Sequence, residues 1–142
     1  MGFFDIVFGR PRTPESPERN DPEFGIGVYE EGCWTFMTEG PENGLIVMVE
    51  GPVDGPGPAQ RRLFRKLMAD LATLEAKGRQ RILSEAGPET TLPPLHAAVL
   101  RLGSEKLSSR DEFQLELTDS QSMVLHRIRF VEGVPVDCGI VD

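Results

Sequence analysis

Residues 59–85, AQRRLFRKLMADLATLEAKGRQRILSE, decide the fold. Leu63, Leu67, Leu71 and Leu74 recur at steps of three and four, with Phe64 and Met68 beside them, so they line one stripe of an amphipathic helix. Pro58 suits the first turn of that helix and Gly87-Pro88 ends it. Gly78 weakens the pattern by about 1 kcal/mol relative to alanine, so a bend or break is expected there. A stripe this regular is core, and its natural partner is a sheet. The polar side carries Arg61, Arg62, Arg65, Lys66, Lys77, Arg79 and Arg81 against Asp70, Glu75 and Glu85, as a solvated helix face would.

Upstream, Gly51 to Pro58 places three glycines and three prolines in eight residues and can continue neither a helix nor a strand. Before it, Phe24, Ile26 and Val28 alternate with Gly25, Gly27 and Tyr29; Glu30-Glu31-Gly32 turns; and Cys33 to Thr38 sets Trp34 and Phe36 on one face. Asn43-Gly44 closes a second turn, and Leu45 to Glu50 is an apolar run suited to a covered strand. Downstream, Leu92 to Leu102 begins with Pro93-Pro94 and reads as a second, shorter helix. The last block holds Phe113, Leu115 and Leu117, then Met123 to Val131, then Val134 to the end, a second three-strand meander. The expected fold is α+β: two antiparallel three-strand meanders flanking one long and one short helix, with the helices on one face of the sheet.

The single domain spans residues 23–142 in this reading. Residues 1–22 precede it as an aromatic segment, Met1 to Phe8, and a proline-rich tether, Gly9 to Pro22. Position 6 is Ile where an N-myristoylation signal wants Ser or Thr. Phe3, Phe4 and Phe8 are instead candidates for insertion into a neighbouring subunit. No apolar run approaches the roughly 20 residues of a membrane helix and no secretory leader pattern is present, which places the chain in the cytoplasm.

The formal charge of −8 argues against nucleic acid as a partner, because phosphate binding rests on lysine and arginine. It favours a basic protein, steered by an acidic surface for which Glu30, Glu31, Glu39 and Glu42 are the candidates. Chemistry is harder to find. Cys33 and Cys138 lack CxxC partners, Gly25-Ile26-Gly27 is not followed by GK[ST], and His96 has no partner at i+4 for a metal. His126 shares a strand face with Val124, Ile128 and Phe130 and, with Tyr29 and Trp34, is the candidate lining of a pocket between sheet and helices. No catalytic, cofactor-binding or metal residue is assigned, and no cofactor is expected.

The Trp34 hairpin, the strand Leu45 to Glu50, the Pro/Gly break, the helix opening at Gln60 and the terminal hairpin ending at Asp142 resemble small uncharacterised bacterial families, some of whose members are similar to immunity proteins of toxin systems. That resemblance implies a non-enzymatic protein-binding module. A small-ligand binder or enzyme is the alternative, and a homo-oligomer built through the aromatic segment is the third reading.

Overall fold

The computed structural model describes residues 16–38, 44–119, 122 and 124–141, and the statements below concern these. Phe3, Phe4, Phe8, Glu39 and Glu42 lie outside them. The strands are β1 (Glu18–Asp21), β2 (Gly25–Glu30), β3 (Cys33–Thr38), β4 (Leu45–Glu50), β5 (His96–Leu102), β6 (Glu112–Thr118), β7 (Leu125–Val131) and β8 (Val134–Val141). The helices are α1 (Pro58–Ala69), α2 (Leu71–Ala86) and α3 (Glu105–Ser109). All eight strands join one mixed sheet in sequence order. Every neighbouring pair is antiparallel except β4 and β5, which run parallel with Ile46 opposite Val99, and α1 and α2 form the crossover such a pair requires.

The expected two three-strand meanders flanking the helices are therefore corrected to one continuous sheet, a four-strand meander on each side of a parallel seam. Two strands account for the difference. Residues 18–21, read as tether, form β1, which pairs with β2 through the backbone and needs no apolar alternation at a sheet edge. Residues 96–102, read as helix, form β5, where a bulge lies between Ala97 and Val99. The extra residue puts buried Ala97 and buried Leu100 three positions apart, which imitates helical spacing.

The long helix also divides, at Asp70 and not at Gly78. The Asp70 N–H bonds Leu67 O at 3.1 Å, a tightened last turn, and α2 restarts at the next residue. Gly78 has another role: it is buried, and a Cβ there would lie 2.9 Å from Leu117 Cδ1 and 3.3 Å from Ile128 Cδ1. Glycine is what lets α2 approach the sheet.

Two rows of side chains make the core. Phe36, Val47, Leu100, Leu115 and Ile128 lie side by side across β3 to β7, and Trp34, Val49, Leu102, Phe113 and Phe130 form the parallel row. Leu63, Phe64, Leu67, Leu74 and Ile82 of the helices close over them. Full burial of each such side chain stabilises by about 1.5–3 kcal/mol. Phe24 caps the stack, with its ring centroid 4.3 Å from that of Phe64 and 4.9 Å from that of Phe36.

Gln60, fully buried, fastens the seam. Its Nε2 donates to Glu50 O at 2.6 Å and Gly103 O at 2.8 Å, bridging the ends of β4 and β5, while its Oε1 accepts from Gly57 N at 2.8 Å. Glu105 of α3 takes the otherwise orphaned N–H groups of Ala59 and Gln60 at 3.2 and 2.9 Å.

Candidate protein-binding face

Side chains alternate across a strand, so the residues between the core rows project from the opposite side of the sheet. Among the described residues no helix covers that open face. It carries the row Ile26, Met37, Ile46, Val99, Glu116 and Arg127 and, beside it, Thr35, Met48, Arg101, Gln114, Arg129 and Asp137. The half toward β2 is thus apolar and the half toward β8 charged.

At the end of this face near the β2–β3 turn lies a cleft of about 550 Å³. Glu31, Glu50 and Glu112 stand around it, Cys33, Met48 and Gln114 contribute to its floor, and Arg101 and Arg129 line its side. The turn presents Glu31 because both of its central residues take positive φ, 53° at Glu31 and 76° at Gly32, the geometry that matches strand twist in a two-residue hairpin. Glu50 arrives from β4 and Glu112 from β6; the parallel seam brings these chain segments together.

The arginines are already engaged. Glu116, 1% exposed, accepts from Arg101 Nε at 2.7 Å and Arg127 Nε at 2.8 Å. Arg129 bonds Glu112 at 3.1 Å and Asp137 at 3.0 Å. Glu31 and Glu50, by contrast, have no ion-pair partner among the described residues, and both are exposed. Glu30, beside them on the sheet, accepts from Ser16 Oγ at 2.9 Å. The result is a local excess of negative charge over a floor that Cys33 and Met48 share with Gln114.

Of the four acidic candidates, then, Glu30 and Glu31 belong to this end. Thr38 and Gly44, which flank the segment containing Glu39 and Glu42, lie at the far end of β3 and β4 from Cys33. The three pocket candidates do not converge. Tyr29 and Trp34 are neighbours, with ring centroids 5.2 Å apart, and their polar atoms are spent on the loop after β4: Tyr29 Oη donates to Gly51 O at 2.8 Å and Trp34 Nε1 to Pro52 O at 3.2 Å. His126 sits on β7 between Leu117 and Ile140, four strands from Trp34, about 19 Å at the usual strand spacing. His96 pairs with Thr118 and His126 with the adjacent Leu117, so the two histidines project from opposite faces.

Neither cysteine is an activated nucleophile. Burial raises the Cys33 thiol, and burial together with the hydrogen bond to Glu85 pushes Cys138 up to about 11, so both are neutral thiols at physiological pH. No group of three His, Cys, Asp or Glu side chains is placed to hold a metal ion among the described residues. No helix among them is long and apolar enough to cross a membrane.

Sequence reasoning missed Glu50, Glu112 and the Arg101–Glu116–Arg127 relay. One signal was present: Glu116 alternates with Leu115 and Leu117, which puts a carboxylate on the strand face opposite the core. No family model, curated protein or solved structure matches the chain.

Proposed function

We propose that the chain is a non-enzymatic cytoplasmic protein-binding module, immunity-like in kind, whose open sheet face receives a basic protein partner. The observation that carries this reading is the cleft of about 550 Å³ at the acidic end of an uncovered face, where Glu31 and Glu50 stand without ion-pair partners among the described residues. A lysine or arginine from the partner enters between these carboxylates, and its neighbouring apolar side chains spread over Met48, Ile46 and Met37. Electrostatic complementarity of this kind speeds encounter and excludes acidic competitors. The alternative, a ligand pocket between sheet and helices, draws no support from Tyr29, Trp34 and His126, because His126 lies four or more strands from the neighbouring Tyr29 and Trp34.

The test is capture from a lysate of the source organism by the wild-type chain and by a Glu31→Lys, Glu50→Lys double variant, at low and high salt. One dominant basic protein, retained by the wild type at low salt and lost at high salt and by the variant, is the expected result. Equal retention by the variant, or no salt dependence, overturns the acidic cleft as the site.

A further inference from the structure

The two edges of the sheet are built differently. β1 is four residues long, Glu18-Arg19-Asn20-Asp21, and carries the ion pair between Arg19 and Asp21 at 3.6 Å. A short, charged edge resists pairing with a second strand. β8 has eight residues and a single charged side chain, Asp137. It exposes Val134 at 57% and Ile140 at 67%, the two most exposed large apolar side chains among the described residues.

The outer side of β8 is not uniformly open. Lys77 Nζ of α2 donates to Gly133 O at 3.2 Å and Arg81 Nη2 to Val136 O at 3.1 Å, and Pro135 has no N–H to offer. From Asp137 to Val141 the backbone has no partner except β7 among the described residues. A row of unpaired N–H and C=O groups is a template for pairing with another strand.

We infer that this strand is β8 of a second copy of the chain, paired antiparallel about a two-fold axis at Gly139. That register uses the whole open run. It sets Cys138 beside the partner copy's Ile140 and Asp137 beside its Val141, so the exposed Ile140 gains an apolar neighbour. An axis at Asp137 would set two carboxylates opposite each other, which is unfavourable. Gly139 suits the crossing point, since the space around it is open: a Cβ there would meet nothing within 4 Å. Head-to-tail pairing with β1 would match eight residues to four and leave an edge open for further growth, whereas the two-fold arrangement closes. It also keeps the acidic ends of two chains of charge −8 apart, because Glu31 and Glu50 lie toward the other side of the sheet. The axis runs normal to the sheet, so both open faces look the same way. This holds whether or not the open face binds a basic protein.

The experiment is the molar mass of the full chain by light scattering, up to submillimolar concentration, for the wild type, Ile140→Lys and Ile26→Lys, with far-UV circular dichroism to check folding. Ile26 is the control, 55% exposed on the open face away from this edge. Twice the 15.7 kDa chain mass is expected for the wild type and Ile26→Lys, and the single-chain mass for Ile140→Lys. A wild-type monomer, a dimer that persists in Ile140→Lys, or one lost in Ile26→Lys overturns the assignment. Should Ile140→Lys not fold, Gly139→Cys in a Cys33→Ser, Cys138→Ser background decides: a disulfide-linked dimer under mild oxidation supports the register, and its absence overturns it.

Discussion

Arg61 on α1 and Asp21 at the end of β1 meet as a fork on a carboxylate, with Nη1 3.0 Å from Oδ1 and Nη2 2.6 Å from Oδ2. The Asp21 side chain is fully buried, and the N–H groups of Glu23 and Phe24 also donate to it at 2.9 and 3.1 Å. Glu23 extends the pair to Arg65 at 2.7 Å, and the Arg61 guanidinium lies 5.5 Å from the Phe24 ring centre. One cluster therefore holds the β1–β2 turn, the edge strand and the first helix together.

Removing one member of a buried, hydrogen-bonded pair strands the other. Arg61→Ala is expected to cost about 3 kcal/mol in urea unfolding, while Arg65→Ala, whose side chain is 61% exposed, should cost about 0.5 kcal/mol.

The same cluster sets an acid dependence. Burial raises the Asp21 carboxyl, but Arg61 and the two N–H donors outweigh it and bring it from 3.8 down to about 2. A depressed carboxylate stabilises the fold fully above its unfolded pKa, and that stability is lost as pH falls through the folded value. Thermal melts of the wild type should therefore lose stability between about pH 4 and pH 2, and Asp21→Asn, already less stable at pH 6, should lose less over that window.

Gln60 donates to two carbonyls with one amide nitrogen. Gln60→Glu keeps the shape and replaces that donor with an oxygen facing Glu50 O and Gly103 O. It is expected to destabilise by about 3 kcal/mol, at least as much as Gln60→Ala, by chemical denaturation.

Gly78→Val should be destabilising even though valine is the better helix former by a few tenths of a kcal/mol. The added carbons meet fully buried Leu117 and Ile128, and overpacking of this kind costs about 1–3 kcal/mol. A rise in melting temperature would contradict the close approach of α2 to the sheet.

Cys138 should alkylate slowly near neutral pH, with its rate rising toward pH 11, since burial first and Glu85 second raise its thiol to about 11. Glu85→Ala removes the second cause, so half-maximal labelling by iodoacetamide, followed by peptide mass spectrometry, should move to lower pH.

Six of the eight strands were legible: five because their apolar residues alternate with polar or small ones, as Trp34 and Phe36 do in β3, and β4 because Leu45 to Val49 is an unbroken apolar run. β1 was not, because Glu18-Arg19-Asn20-Asp21 has no apolar member and is held by its backbone and by Asp21. β5 was not, because its bulge turns a two-residue period into a three-residue step. The division at Asp70 was hidden by a leucine stripe that runs through it unbroken. At the site, Glu31 announced itself as a turn residue. Glu50 and Glu112 did not, because their meeting depends on Ile46 lying opposite Val99, a long-range contact that no local pattern encodes.

The seam between β4 and β5 also gives the chain an order of assembly. Each meander joins strands by connections of nine residues or fewer, so these close quickly, whereas the seam must draw together positions 46 and 99 across the whole helical crossover. Closing a loop of that length costs about 3–4 kcal/mol of chain entropy before any contact rewards it. The two meanders are thus expected to form early and the seam to zip late. Cutting the chain between Gly51 and Pro58 should leave two fragments that recover the sheet on mixing, with Gln60 as the clasp between them.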